Sequence, residues 1–429
     1  MLTAYRLLTF CLYPFFIILI YLRLISKKED PKKYKEKIFS SSFKVERNDK
    51  DKLIWFHASS IGETLSVLPL IDELNRSKKD IRFLITTVTL SSANLLNKKI
   101  KKYNNMTHRF FPLDTTYLVE KFLNAWKPNL VCFVDSEIWP NFLFKIKEKK
   151  IPLVLINARI TRKTFTKWHM LPNFAKQVFN NFDLCLPCSE ESMRNLEKLQ
   201  VKKLSYIGNL KFTIKAQEEE LEPSDIKVLN NFKVWCAVST HEGEEIIALK
   251  THLEIKKKYN NVLTIIIPRH ISRVFYIQNL TKKLNLKSQI LNRNDQIDGN
   301  KEILIINSFG VLFQYFNYCK NIFIGKSLIK KLRPIGGQNP IEAAKLNCNI
   351  FYGPYVYNFQ EVYDYLKDNK IAKQIRDEYD LSKEIIQNFE SPKKKDFKNI
   401  NLLNKYGDTV LQKTVVELKK LINIENENI

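Results

Sequence analysis

Glycine is scarce in this chain, 10 of 429 residues against a usual share of about 7%, so an adjacent glycine pair marks a place where the backbone has a special need. Cysteine is neither abundant nor paired. The seven cysteines, an odd number, stand at 11, 132, 185, 188, 236, 319 and 348 without framework spacing. That excludes a disulfide-stapled secreted fold and places the bulk of the chain in a reducing compartment. Cys185-Leu-Pro-Cys188 has neither the second pair of a zinc site nor a thioredoxin-like setting, so it reads as coincidence. There is no internal repeat and no low-complexity tract. With 45% hydrophobic and 27% charged residues, the chain is neither disordered nor collagen-like. It also lacks a compact basic-aromatic motif, so its net charge of +25 does not mark a nucleic-acid binder. Part of that charge follows from a composition rich in Lys, Ile and Asn.

What is present begins with an apolar run, Leu7 to Leu22, interrupted by Thr9 and flanked by Arg6 and Arg23. It falls slightly short of the ~20 residues of a spanning helix. The stretch ahead of it carries one Arg and no A-x-A-like cleavage site follows, which favours an uncleaved membrane anchor over a signal peptide. Lys27, Lys28, Lys32, Lys33, Lys35 and Lys37 predict that the flank after the anchor, and the bulk of the protein with it, face the cytosol. Pro14 and the short run leave a half-inserted helix open.

From residue 51 onward, short apolar runs alternate with helical stretches. Residues 53–59, 81–89, 108–114, 129–136, 152–159, 183–189 and 203–209 read as seven strands, several apolar throughout, as in a parallel sheet covered on both faces. Residues 215–225 have a linker's composition. A second series follows at 234–240, 261–269, 301–308, 321–327 and 347–353, and 406–423 predicts a last amphipathic helix. The expected fold is α/β: two doubly wound, Rossmann-like domains, 51–214 and 226–405, facing a cleft, after an anchor (1–26) and a basic linker (27–50) and before a helix and tail (406–429).

Ligands of such folds bind at the carboxyl ends of the strands, and polar residues collect there. Glu63, after His57-Ala-Ser-Ser-Ile-Gly62, is either a first-turn carboxylate favoured by the helix dipole or a general base aimed into the cleft; His57 reads as a packed core histidine. Asp135-Ser136-Glu137 resembles a D-x-D metal chelator, but no metal is expected, and Pro140 suits a first helical position that leaves Glu137 free. Arg159 and Lys211 bring cations to the same rim. Ser239, Thr240 and Glu242 fit a capping box that would also offer amides to a phosphate, and Arg269 after Pro268 can pair with phosphate. Gly336-Gly337-Gln338-Asn339-Pro340-Ile341-Glu342 reads as helix initiation, with Asn339 as cap and Pro340 as first helical residue, or as a phosphate-cradling loop with an acid for ribose hydroxyls.

Taken in order behind an apolar anchor, HASSIGE, DSEIWPN, NAR, GNLKF, STHEGEE, PRH and GGQNPIEAA resemble the Kdo transferases of lipopolysaccharide synthesis, over nearly the whole chain. The resemblance implies a two-domain GT-B glycosyltransferase at the cytoplasmic side of the inner membrane. It would move 3-deoxy-D-manno-octulosonic acid (Kdo) from CMP-Kdo to a lipid A precursor, with inversion, no metal and no cofactor. Domain 51–214 would then take the acceptor and 226–405 the donor. By motif, Glu63 corresponds to the general base, Glu137 and Lys211 to groups stabilising the transition state, and Pro268, Arg269, Asn339, Pro340, Ile341 and Glu342 to contacts with CMP. Phe309, Gly310 and Val311 fall where the family reads D-T-M-G-E, so contacts there would run through the backbone. Lys326 stands where the family has Gly, Gln338 where it has His, and Leu328–Ile335 is longer than usual. A nucleotide-sugar epimerase of similar architecture is the alternative; it would need no lipid acceptor and no apolar anchor.

Overall fold

The computed structural model describes all residues except 44, 46–50, 78–79, 215–219, 309, 393–396 and 423–429. It divides into two compact units, Met1–Ile214 with Tyr406–Ile429, and Lys215–Lys405. In the first, β1 (Lys52–His57), β2 (Ile81–Thr87), β3 (Met106–Phe110), β4 (Leu130–Val134), β5 (Leu153–Ala158) and β6 (Leu184–Pro187) form one sheet in the order β3-β2-β1-β4-β5-β6. All pairings are parallel. The apolar runs are needed because both faces are covered: alternate residues of β1 enter separate cores, Leu53 and Trp55 with Phe133 and Phe142, Ile54 and Phe56 with Leu70, Ile71 and Leu74 of helix α2 (Ile61–Ser77). The expected seventh strand at 203–209 is not formed. Only Leu204 bridges to Cys185, and the left-handed Gly208 (φ 119°) then turns the chain into the 3-10 turn Leu210–Thr213.

The second unit carries β7 (Lys233–Thr240), β8 (Val262–Pro268), β9 (Ser288–Leu291), β10 (Ile303–Ile306), β11 (Asn321–Ile324), β12 (Asn349–Tyr352) and β13 (Ala372–Gln374) in the order β13-β12-β11-β7-β8-β10-β9, again all parallel. The sequence reading missed β9 and β13. They are the two edges, short and polar (Ser288, Gln289, Lys373, Gln374), and carry no apolar run to read.

Two further segments differ from expectation. Residues 27–43 are folded on the first unit rather than forming a linker: Ile38 and Phe43 are buried, and Lys37 is buried in an ion pair with Glu29 and donates to the Val88 carbonyl at 2.8 Å. Lys37 is therefore not one of the free cations of that flank. The last helix runs from Phe397 to Leu421, longer than read, and packs Val410, Val415 and Leu418 beside α2. The first helix, α1 (Leu2–Ile25), is long and apolar enough to cross a membrane.

Candidate active site

The carboxyl ends of β1, β4 and β5 assemble one charged cluster. Glu63, in the first turn of α2, accepts from the Ser59 amide at 2.8 Å and from the Ser60 hydroxyl at 2.7 Å. The carboxylate is thus oriented by the loop that precedes it and is only 9% exposed. Burial first, then the neighbouring Asp135, and then Glu137, push the Glu63 carboxyl above its ordinary value, against the hydrogen bonds from Ser60 and Ser59. The helix-start reading of this residue holds, since it stands in the first turn of α2.

Glu137 is held by an array that sequence alone did not show. His57 Nε2 lies 3.0 Å from its Oε2, and Trp139 Nε1 donates to the same oxygen at 2.7 Å. Behind His57, Nδ1 is 3.0 Å from the Thr86 hydroxyl, which itself accepts from Trp55 Nε1 at 2.8 Å. Nδ1 also lies 3.2 Å from the Thr86 carbonyl oxygen, so Thr86 holds the ring from behind through both of its oxygens. The imidazole stacks on Phe111 with centroids 3.7 Å apart. His57 is buried in the core, as read, yet it also aims a carboxylate. Burial alone would raise the Glu137 carboxyl, but hydrogen bonds from His57, Trp139 and Ser59 outweigh it and hold it below the usual value. Two acids on one rim are therefore pushed apart, the pattern of divided acid–base roles.

Lys211 Nζ donates to Asp135 Oδ2 at 2.9 Å, with both side chains buried. Asn157 Nδ2 donates to the other Asp135 oxygen at 2.5 Å, while Asn157 Oδ1 accepts the Leu210 amide at 2.8 Å. Asp135 and Asn157 are both left-handed, φ 56° and 54°, a region these two residue types tolerate better than most. Asp135, whose D-x-D spacing was not expected to hold a metal, anchors Lys211. Arg159 contributes its backbone, its carbonyl accepting from the Ser136 hydroxyl at 2.7 Å. Pro140 opens the helix Pro140–Glu148 as expected. Among the described residues no cluster of three or more His, Cys, Asp or Glu could hold a metal. Cys185 and Cys188 are buried, and burial pushes both thiols up, away from redox reactivity.

In the second unit the expected capping box is not formed. Ser239 is still in β7, left-handed at φ 54°, and the helix Glu244–Lys256 begins after Gly243 (φ 92°). Glu244 does the organising: its buried carboxylate accepts the amides of His241 (2.9 Å), Lys326 (2.6 Å), Ser327 (2.9 Å) and Leu328 (3.0 Å). A side chain of the protein thus takes the anion seat that the sequence offered to a phosphate, and Thr240 is fully buried beneath it. Apart from the His241 amide three residues upstream, the partners of Glu244 lie more than 80 residues downstream, beyond the reach of any local sequence pattern.

Around this stitch stand the remaining candidates. Pro268 ends β8, and Arg269 is exposed with its amide on the Thr240 carbonyl at 3.1 Å. Lys326 is left-handed (φ 60°) and its carbonyl accepts the Gly337 amide at 2.7 Å. The glycine pair serves backbone packing: a Cβ on Gly336 would meet the Tyr355 carbonyl oxygen at 2.0 Å. Asn339 accepts the Ile341 amide at 3.2 Å, but the helix Ile341–Lys345 has Pro340 as its cap residue rather than its first helical residue. Glu342 retains some surface, and burial pushes its carboxyl up to about 7. Gly310 (φ 78°) and buried Val311 follow β10; Phe309 lies outside the described residues. Val311 also lines a cavity of about 340 Å³ with Arg293, Asp295, Ser308, Gln314 and Tyr315.

A family model described as 3-deoxy-D-manno-octulosonic-acid transferase (kdotransferase) matches residues 32–214. The chain is 31% identical over 380 residues to the 3-deoxy-D-manno-octulosonic acid transferase of Rickettsia bellii, covering 88% of each chain. Solved structures share the two-unit GT-B-like fold. A glycosyltransferase from Rickettsia africae superposes with a TM-score of 0.56 at 11% identity, over 88% of this chain and all of that one. UDP-GlcNAc 2-epimerase from Neisseria meningitidis, bound to UDP-GlcNAc, superposes with a TM-score of 0.54 at 16% identity, over 86% and 99%. At such identities the structures speak for the fold, and the choice of chemistry rests on the sequence relatives. The chain belongs to the 3-deoxy-D-manno-octulosonic acid transferase family, glycosyltransferases that move Kdo in lipopolysaccharide synthesis.

Proposed function

We propose that the chain transfers Kdo from CMP-Kdo to a lipid A precursor in a single inverting displacement, without a metal and with Glu63 as general base, at the cytoplasmic face of the inner membrane. The observation that carries this reading is the placement of Glu63: a carboxylate at a strand's carboxyl end, fixed by Ser59 and Ser60 and made more basic by burial and by two flanking acids. An acceptor hydroxyl beside it gives its proton to Glu63 as its oxygen bonds to the anomeric carbon of Kdo. The bond from that carbon to the phosphate oxygen breaks, and CMP leaves with the electron pair. Glu137 suits the positive charge growing on the sugar ring, and Lys211 the negative charge growing on the departing phosphate. Their fixed partners, His57 and Trp139 for one and Asp135 for the other, mean that little reorganisation accompanies the reaction.

Pro268, Arg269, Gly310, Val311, Asn339, Pro340, Ile341 and Glu342 follow β8, β10 and β11, the carboxyl rim where a doubly wound sheet takes a nucleotide. Exposed Arg269 suits the cytidylate phosphate and Glu342 the ribose hydroxyls. Replacing Glu63 by Gln keeps the shape of the site and removes the base. Transfer to lipid A precursor, read by mass, is expected to fall by about 10²–10⁴-fold, while the affinity for CMP-Kdo stays within twofold, about 0.4 kcal/mol. An unchanged transfer rate rejects the assignment.

A further inference from the structure

Helix α1 reverses the usual order of a surface helix: its hydrogen-bonding groups point at the protein and its apolar groups point away. Tyr5 donates to Asp114 Oδ2 at 2.8 Å, the Thr9 hydroxyl accepts from Asn141 Nδ2 at 3.2 Å, the Tyr13 hydroxyl donates to the Ile38 carbonyl, and Arg23 pairs with Glu29 at 2.6 Å. Leu2, Tyr5 and Tyr13 also pack on the core of the first unit, and Ile20 is buried. These pins are built on rigid parts. Asp114 also accepts the Asn141 and Phe142 amides that open the helix Pro140–Glu148. On the opposite face, Leu7, Leu8, Phe10, Phe15, Ile18 and Leu22 are each 56–73% exposed.

The pins run from Tyr5 to Arg23, about 27 Å of helix at 1.5 Å per residue, nearly the ~30 Å thickness of a bilayer's hydrocarbon. A spanning helix would have to break them or drag Asp114, Asn141 and the Ile38 carbonyl into hydrocarbon, which offers polar groups no partners. We propose that α1 does not cross the membrane but lies in the plane of one leaflet, with its inner face clamped to the folded unit and its outer face in the acyl chains of an anionic bilayer. Charge selects that partner. Lys27, Lys28, Lys32 and Lys35 are exposed just beyond the helix end, where anionic headgroups attract each of them. A second protein copy would not require that basic border. The inference rests on the membrane attachment proposed above and adds its geometry.

The test uses the full chain with Cys11, the exposed cysteine, changed to Ser, and a nitroxide placed at Leu8, Phe15 or Leu22 in separate variants. Each is bound to vesicles of phosphatidylethanolamine and phosphatidylglycerol, and depth is read from collisions with oxygen and with a water-soluble nickel chelate. The expected result is one common shallow depth for all three labels. If Leu8 and Leu22, about 21 Å apart along the helix, report opposite leaflets with Phe15 deepest, the helix spans and the inference falls while membrane attachment stands. Labels without lipid contact, immobilised against protein or fully aqueous, overturn the inference and the attachment together. Kdo transfer by the same variants in detergent is scored separately, so a failure of the Glu63 assignment cannot be mistaken for either.

Discussion

A single methyl group on Gly407 should slow the reaction although that residue lies far along the chain from every candidate catalytic group. Gly407 sits in the helix Phe397–Leu421, and a Cβ there would stand 2.2 Å from the Phe212 carbonyl oxygen, whereas real Cβ atoms essentially never approach below 3.0 Å. The 3-10 turn Leu210–Thr213 must therefore move by at least 0.8 Å or the helix must lift. Lys211 belongs to that turn, and its ammonium reaches Asp135 from there. The ring of Phe212 packs edge-on against Tyr406 at 4.9 Å, so helix and turn move as a pair. In stability, overpacking costs about 1–3 kcal/mol, offset by the ~1 kcal/mol that Ala gains over Gly in a helix, and Gly407→Ala should remain folded with a modestly lower Tm.

Catalysis is the more sensitive readout, since a misplacement of about 1 Å at a reacting group can cost about 100-fold. Gly407→Ala is expected to lower kcat for Kdo transfer by about 10–100-fold with far less effect on donor affinity, measured by steady-state assay and by calorimetry with CMP. Asp408→Ala, on the exposed side of the same helix, is the control and should leave kcat unchanged. A Gly407→Ala enzyme with native kcat would refute the claim that this helix buttresses the Lys211 turn.

Two further outcomes follow from the charges. Asp135→Asn removes the larger of the two acidic influences on Glu63, so the acid limb of the pH–rate profile should move to lower pH; it also leaves Lys211 buried without its counter-charge, at a cost of about 3–5 kcal/mol in stability, and an unmoved limb contradicts the coupling. On the proposed role of Glu342 at the ribose, ionisation strengthens its acceptance of the hydroxyls, so with its carboxyl at about 7 CMP affinity should rise between about pH 6 and about pH 8. The unliganded fold favours the protonated form, whose stabilising share is complete below the ordinary carboxylate value and lost as pH rises through about 7. Tm of the unliganded protein should therefore fall from about pH 4.5 to about pH 7 and level off above, and Glu342→Gln should abolish both slopes.

What the sequence disclosed, and what it withheld, divides along the range of the forces involved. Buried parallel strands announce themselves locally, because a strand covered on both faces has no polar side to show, and β4 and β5 were legible for that reason. The edges β9 and β13 were not, since an edge strand this short carries no such run. Glu63, Glu137 and Lys211 were visible as polar residues at strand ends, but the groups that give them their properties were not: His57 is 80 residues from Glu137 and Asp135 is 76 from Lys211. One local signal was nonetheless available. Asp135, Asn157, Ser239 and Lys326 all adopt left-handed backbones at or just after the carboxyl ends of strands, and such residues cost of order 1–3 kcal/mol unless their surroundings impose them. In a chain this poor in glycine, small polar residues closing an apolar strand are the substitutes that tolerate the turn. Lys326, which has no such excuse, is held there by Glu244 on its amide and Gly337 on its carbonyl. The turns at Asp135, Asn157 and Lys326 are thus held by long-range hydrogen bonds, from Lys211 and the Leu210 amide at one rim and to Glu244 at the other, which no local reading of the sequence supplies.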